Sequence, residues 1–520
     1  MSLERPQTIN EQRIPTPWVR IRADRGGRFR IDGSPRAVLG HQIAVAGGLD
    51  RPDGVYVQWD WDGRELSVRN DRAGMGQMLY APLDDGDGIV LSPHVEQLLE
   101  LGASSQFDDG AATVLLRLGF LLDVDTPYKD IRALPPNATL TWSPGKLHVH
   151  DGRQLPQPQV IDRDVAVDTY VDLFRQSIGR RLPGGPTVLP LTGGQDSRHI
   201  LFELCRRTQP PEVCVTVRPY RKVTYDDAYV ARELAAQLDV PHQSIELARS
   251  PVAEDFRKYF RLGPLSDEGG WTSAMWDHIQ SFACAYDGIA GDMLSSGSLA
   301  GLVYTPQVHA LVERREWSSL AGVILDHFAA PESAYDELIG KASHQDLGRE
   351  YVMDRVEQQL RRVSDTAHPV AMFMIYNRTR REIAMMSWLL CSPLTPYYAP
   401  YLDRDLFSFL ASLPASEFAV GQWFHRAAIS KGYPEWAEIP YFDPQRVTSL
   451  PMSPLGAVSS IVEVNAWTAR HLPALLPVVA RWGVRRIKSR GHQGVAPRRV
   501  VQHFLALERL YRRGFHGGFD

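Results

Sequence analysis

A short apolar strand, Thr187 to Leu191, runs directly into Thr192-Gly193-Gly194-Gln195-Asp196 and then into a helical stretch, Ser197 to Arg206. The rhythm repeats at once: Val213 to Val217 reads as a strand, Asp227 to Leu238 as a helix and His242 to Leu247 as a strand. Alternation at this spacing requires a parallel sheet wrapped by helices, because a parallel neighbour is reached only through a crossover. Pro190 lacks the N–H that a central strand needs, so the ladder is expected to end there.

Ahead of this unit the pattern is different. From about Trp18 to His150 short alternating runs such as Val55 to Trp59 and Leu66 to Val68 flank the turn Asp62-Gly63-Arg64, and Ala138 to Trp142 is followed by Ser143-Pro144-Gly145-Lys146 and Leu147 to His150. Hairpins in a β-rich first domain follow. Between them Pro93 to Leu101 and Thr113 to Leu122 carry helical spacing. Residues 151–159 are polar and proline-rich, the composition of a linker, which places one domain at 1–152 and the other at 160–520. After the linker Val167, Tyr170, Val171, Phe174 and Ile178 line one face of a helix, and from Glu254 onward the pattern is mostly helical. The fold class is therefore α/β, with a β-rich N-terminal domain and a C-terminal parallel-sheet domain carrying additional helices.

Composition narrows the function. The 57 Lys and Arg nearly balance 61 Asp and Glu, which argues against a chain built around nucleic acid or an anionic membrane. The four cysteines, Cys205, Cys214, Cys284 and Cys391, are widely spaced and form no zinc motif, and the N-terminus lacks the apolar run of a signal peptide, so a reduced, cytoplasmic location is expected. Residues 383–402 carry no charge but contain Pro393, Pro396 and Pro400, and read as buried core rather than a membrane span.

The loop at 191–198 sits where an open parallel sheet binds ligands. Adjacent glycines let the backbone approach an anion, the first-turn N–H groups of the next helix face it, and Thr192 and Ser197 add hydroxyls. Asp196 beside phosphates would repel them alone; its natural use is to hold magnesium that bridges to them. A turn with a helix-capping aspartate is the plainer alternative. It is no Walker loop, for no Lys-Ser/Thr follows the glycines.

Thr192-Gly193-Gly194-Gln195-Asp196-Ser197 resembles the S-G-G-x-D-S loop of the asparagine synthetase-like enzymes, a branch of the PP-loop ATP pyrophosphatases. Asn70 to Tyr80 resembles the D-R-x-G-x-x-P-L-Y-Y stretch of that family's N-terminal glutaminase-like domain, Ile131 to Asn137 its I-x-x-L-P-P-G turn, and Pro400-Tyr401-Leu402-Asp403 with Leu410 to Pro414 its P-F-L-D…L-P segment. The likeness runs from about residue 55 to 435. It implies an Ntn-hydrolase-like sandwich, then a PP-loop domain of the adenine nucleotide α-hydrolase-like kind. The implied chemistry is activation of a carboxylate by ATP as an acyl-adenylate, loss of pyrophosphate, and attack by an amine. By the same resemblance Leu191, Thr192, Gly193, Gly194, Asp196 and Ser197 hold the phosphates, and Val215-Thr216-Val217 meets the adenine, with Val215 and Val217 as contacts. Tyr225 to Tyr229 starts the next helix. Gly288-Ile289-Ala290-Gly291-Asp292 matches the family's G-E-G-x-D. Gly288 and Gly291 then join the nucleotide site, and Asp196 and Asp292 share Mg2+.

The sequence departs from the family pattern in four places. Ser2 stands where glutamine-dependent members have an N-terminal cysteine, which implies an inactive glutaminase fold. Ile289 replaces the glutamate, and an isoleucine takes no proton from an amine. The Asp-Arg pair before P-F-L-D appears as Ser387-Trp388. The usual lysine after L-P has no match: Lys431 falls too early, and Arg446 is the nearest cation and the candidate catalytic group. The acceptor is then part of the same molecule or an already neutral amine.

Three further features stay open. His199 and His425 read as packing or solvent-facing histidines, and the cluster Arg378, Arg380, Arg381 suits a phosphate, a carboxylate or a salt-bridge network. Ten Lys or Arg lie between Arg481 and Arg513 against one acid, Glu508, consistent with a basic amphipathic helix or a site for an acidic peptide, carrier protein or RNA. The expected partners are a carboxylate substrate and an amine acceptor, peptide or carrier-bound among the options, with no membrane or nucleic-acid partner; the oligomeric state stays open. An AMP-forming amide ligase without glutaminase activity, as in the β-lactam synthetase and lasso-peptide cyclase branches, competes with two alternatives. These are a non-catalytic nucleotide-binding scaffold and an RNA-modifying PP-loop enzyme.

Overall fold

The computed structural model describes residues 16–441 apart from 25, 45–50, 84–86, 219–226, most of 248–271, 300–301, 329–346 and 392–394, together with a few positions between 462 and 481. Ser2, Tyr225, Asp226, Arg446 and the basic stretch beyond Arg481 lie outside the described residues.

Ten strands come first: β1 (Val19–Ala23), β2 (Phe29–Gly33), β3 (Arg36–Ile43), β4 (Asp53–Trp61), β5 (Leu66–Asn70), β6 (Leu79–Pro82), β7 (Gly88–Ser92), β8 (Arg132–Ala133), β9 (Thr139–Ser143) and β10 (Lys146–His150). They make two antiparallel sheets, ordered β2-β1-β7-β6-β8 and β10-β9-β5-β4-β3. Alternation sets the faces: in β5 Leu66, Val68 and Asn70 are buried while Ser67 and Arg69 are half-buried. The turn after β4 is closed as the sequence suggested, with Asp62 accepting from the N–H groups of Arg64 and Glu65 and Gly63 at φ 99°.

Helix α1 (Val95–Glu100) and helix α2 (Asp109–Leu118) follow β7. Helix α2 begins and ends four residues before the expected Thr113 to Leu122. Asp108 caps it, accepting from Ala111 N–H, and left-handed Gly119 stops it, so Phe120, Leu121 and Leu122 stay buried without being helical.

Asp162 caps α3 (Arg163–Gly179), whose buried face carries Val167, Tyr170, Val171, Phe174 and Ile178. Then β11 (Thr187–Pro190), α4 (Asp196–Arg206), β12 (Val213–Val217), α5 (Asp227–Gln237) and β13 (His242–Ile245) appear in the expected order. Two further strands, β14 (Cys284–Tyr286) and β17 (Tyr397–Tyr398), complete a parallel sheet ordered β13-β12-β11-β14-β17. Between them lies a small ribbon of β15 (Ser298–Leu299) and β16 (Leu302–Val303). The mostly helical reading beyond Glu254 missed β14 and β17 because two or three residues carry no period. Pairing of β11 with β14 ends at Val188, while Leu191 N–H still donates to Val215 C=O. In a parallel strand successive N–H groups alternate sides, so the N–H missing at Pro190 falls where the ladder has already stopped.

Residues 151–162 form no helix or strand. The two halves meet across buried polar contacts. Arg181 bridges Asp53 of β4 and Asp403, both at 2.7 Å, and Arg180 also pairs with Asp403. Arg380 donates to Leu134 C=O and Asp123 C=O, and Arg381 to Asp125 C=O. Burial pushes Arg380 down to about 9 and Arg381 down to about 10, so both stay charged at neutral pH. For Arg380 and Arg381 the acceptors are thus backbone carbonyls of the other half, not the phosphate, carboxylate or salt-bridge network expected; among the described residues Arg378 alone of the cluster pairs with a carboxylate, Glu382. The described residues within 383–402 are largely buried, and among the described residues no helix is long and apolar enough to cross a membrane.

Candidate functional site

The strand order reverses between β11 and β14, so the loops leaving their C-terminal ends diverge and open a crevice. One wall is Leu191–Ser197 and the other is 287–292.

Side chains from neighbouring elements fix the first wall. Ser197 Oγ accepts from Thr192 N–H at 3.1 Å, and Thr192 Oγ1 accepts from Gly194 N–H at 3.2 Å. Gly193 N–H donates to Asp227 Oδ1 at the start of α5. Thr216 of β12 donates to Leu191 C=O at 2.6 Å, which places the end of that strand, Val215 buried and Val217 half-buried, against the loop. Thr192 and Gly194 are exposed, and a Cβ on Gly194 would meet nothing closer than Thr192 Oγ1 at 3.2 Å. That contact is tight, so the glycine keeps the loop compact while its exposed edge leaves the turn accessible to an anion.

Asp196 begins α4 and projects across the crevice. Its Oδ2 accepts from the backbone N–H of Asp292 at 3.0 Å. Its Oδ1 is buried and has no hydrogen-bond partner. Gly288 and Gly291 make this approach possible, since a Cβ on Gly291 would stand 2.6 Å from Asp196 Cγ and one on Gly288 would stand 2.7 Å from Asp196 Cβ. Their part in the site is to let the two walls close on one carboxylate. Ala290 sits between them at φ 72°, the left-handed region that a glycine tolerates and an alanine does not.

The electrostatics are one-sided. Burial, and then the charge of Asp292, push the Asp196 carboxyl well above the ordinary range, and burial pushes Asp292 up to about 6. Burial also raises Asp287, at the end of β14, although Ser387 Oγ and Ile289 N–H donate to it. Arg378 exerts a modest opposing pull on Asp292, while its Nε pairs with Glu382 at 2.9 Å. Among the described residues no group of three or more His, Cys, Asp or Glu forms a self-sufficient metal cage. Two close carboxylates and an orphaned oxygen suit magnesium instead, since that ion is held by one or two carboxylates and completed by substrate phosphates and water. The residues present fit the cation.

Sequence reasoning brought Asp196, Asp292, Gly288, Gly291 and the loop to one place. It did not find Asp287, it named Asp227 only as part of the start of α5 and Arg378 only as part of an arginine cluster, and it set aside His199 and His425, which are both wholly buried directly behind Asp196. No sequence signal marked Asp287, because the three-residue strand it follows, β14, carries no period of its own. Ile289 is buried and apolar, so its position supplies no base.

Comparison with known proteins places residues 169–435 within the asparagine synthase family model. No curated protein matches the chain. Among solved structures, U34-tRNA thiolase NcsA from Methanococcus maripaludis with its 4Fe-4S cluster aligns at 9% identity over 63% of this chain and 80% of that chain, with a TM-score of 0.24. A superposition that loose bears on neither fold nor function.

Proposed function

Starting from the fact that this chain belongs to the asparagine synthase family, we propose that it is an AMP-forming carboxylate–amine ligase that works without glutamine hydrolysis. The observation that carries this reading is the pair Asp196 and Asp292, brought together across the switch-point crevice with Asp196 Oδ1 unpartnered and the Thr192–Gly194 loop exposed at its edge.

In this reading a carboxylate oxygen of the substrate attacks the α-phosphorus of ATP, the bond to the β-phosphate breaks, and pyrophosphate departs. An amine then attacks the acyl carbon, its proton is lost, and AMP leaves with the second electron pair. Asp196 and Asp292 would hold Mg2+, which when bound offsets the charge that grows on the leaving pyrophosphate. The first turn of α4 offers N–H groups to phosphate oxygens, and the exposed loop at Thr192 and Gly194 lets them approach. The end of β12, at Val215 and Val217, borders the space for the adenine. Ile289 cannot accept a proton, so the acceptor would arrive neutral or as part of the activated molecule. A specialised peptide or natural-product substrate, with lactam or macrolactam closure as one outcome, fits that absence. The two N-terminal sheets would be an Ntn-like domain kept as a buttress, with the domain boundary at the element-free segment after residue 150.

Magnesium-dependent ATP–pyrophosphate exchange over a panel of amino acids and peptides tests the proposal. Exchange that depends on one carboxylate and vanishes in D196A is the expected result. Exchange indifferent to D196A removes the mechanism.

A further inference from the structure

Behind the crevice wall lies a buried polar network that the reaction as written does not use. His425, in the helix Trp423–Gly432, is wholly buried, as is His199 of α4, 226 residues away in sequence, and the two rings meet at 3.2 Å between His425 Nε2 and His199 Nδ1. On the other edge of the ring, His425 Nδ1 lies 2.8 Å from Ser295 Oγ and 3.5 Å from Asp196 Oδ1. Tyr401 OH reaches both His425 Nε2 and Asp196 C=O at 3.3 Å. Phe174 of α3 stacks on His199 with centroids 3.6 Å apart, and so seals the pair from solvent.

Hydrogen-bond accounting assigns the protons. Ser295 Oγ donates its only hydrogen to Gly291 C=O at 2.6 Å. It can therefore only accept from His425, and Nδ1 must carry the ring proton. With its proton on Nδ1, the His425 ring presents Nε2 as a lone pair toward His199 Nδ1 and the Tyr401 hydroxyl. That lone pair is satisfied by His199 Nδ1–H or by Tyr401 O–H. With its proton on Nδ1, His199 is left with an unpartnered lone pair at Nε2, a lesser cost than a buried N–H without an acceptor.

The N–H of His425 thus sits between Ser295, on the helix that carries Asp292, and the unpartnered oxygen of Asp196. At 3.5 Å it does not satisfy that oxygen, so the lone pairs stay open to a cation. We propose that His425 is a positioning residue: held by Ser295, His199 and Tyr401, it fixes the plane of the Asp196 carboxylate, with Oδ2 on the Asp292 N–H and Oδ1 kept unpartnered for a cation. The network ties together α4, the helix Gly291–Ser295, the Pro400–Leu402 turn and the helix Trp423–Gly432, the elements that set the width of the cation site. This inference rests on the reading of Asp196 as a cation ligand.

The test is Mn2+ binding to the full chain with a non-hydrolysable ATP analogue, followed by electron paramagnetic resonance, with no turnover needed. In H425N the amide nitrogen falls near the place of Nδ1, whereas in H425Q it falls near Nε2. Both put one amide in the same buried space and so perturb the fold alike. H425Q should weaken Mn2+ binding about tenfold to a hundredfold, as for other residues that orient metal ligands, and H425N should stay within about threefold of wild type. Equal affinities for H425Q and H425N, or a wild-type affinity for H425Q, overturn the inference. If H425Q does not fold, Y401F keeps the ring and carries the test: a loss of about threefold or more supports the network, and unchanged binding refutes it. D196A run alongside separates the two levels. If D196A binds Mn2+ and the analogue as wild type does, the ligase reading itself fails; if D196A loses binding while H425Q keeps it, only the positioning role falls.

Discussion

Around Arg181, two arginines and two aspartates are packed between the halves of the chain; around Asp196, three aspartates are gathered at the crevice. Both groups are largely buried, and they differ in who supplies the opposite charge. At the interface burial disfavours ionisation of Asp403, yet Arg181 and Arg180 outweigh it and hold that carboxyl below the ordinary range. In the crevice burial acts on Asp196, Asp292 and Asp287 and all three are raised, with only the distant help of Arg378. A completed charge cluster is architecture, and a cluster left negative is prepared for something that arrives from outside.

The sharpest way to break this contrast is to delete one member of each. D196A should abolish Mg2+-dependent ATP–pyrophosphate exchange, a loss of about a thousandfold or more given the several kcal/mol that a bound cation supplies, while urea denaturation of the ligand-free protein shows no loss of stability. Arg181→Ala should do the converse. It leaves Asp53 and Asp403 buried without their shared cation and should cost about 3–5 kcal/mol in denaturation, with nucleotide affinity retained in the folded fraction. Variants that lost the same property would erase the distinction.

The pH dependence sharpens it further. Burial raises the folded-state pKa of Asp292 from the ordinary 3.8 to about 6, so the native state binds the extra proton and the ligand-free protein should lose stability as pH rises from about 4 to about 6. At 1.36 kcal/mol per pKa unit the effect is on the order of 2–3 kcal/mol. D292N should lose that share of the pH dependence and keep the share that Asp196 and Asp287 contribute, and the wild-type dependence should shrink when Mg2+ and nucleotide are present; denaturation profiles of the two proteins at pH 4, 5, 6 and 7 check this. For Asp403, whose pKa is depressed, the sign is opposite: its contribution is present above the ordinary carboxyl pKa and is lost as pH falls.

The smallest expected effect lies in the turn between the walls. Ala290→Gly relieves a left-handed alanine and should stabilise the ligand-free protein by about 0.5–1 kcal/mol, read as a rise in the unfolding midpoint.

Much of this was legible from residue order. The strand-loop-helix rhythm from Thr187 to Ile245 fixed the parallel sheet, because β-branched runs, glycines and helical spacing each act locally. The crevice was legible at Asp196, whose loop follows a readable strand, and at Asp292 only through the likeness of Gly288–Asp292 to a family motif. His199 and His425 were not, since a histidine on an apolar helix face looks the same whether it packs or bonds to a partner 226 residues away. Arg380 and Arg381 were ambiguous for the same reason: their acceptors are backbone carbonyls near residues 123–134, and a carbonyl leaves no mark in a sequence. Strands β14 and β17 escaped because their pairing is set by the sheet they join, not by their own two or three residues.

The most direct measurement is a crystal structure of the full chain with Mn2+ and a non-hydrolysable ATP analogue, with manganese located by its anomalous signal. The account expects one Mn2+ peak at about 2.1 Å from Asp196 Oδ1, shared with Asp292 and phosphate oxygens lying over Gly194. A nucleotide bound elsewhere, with no metal between those two carboxylates, would contradict it.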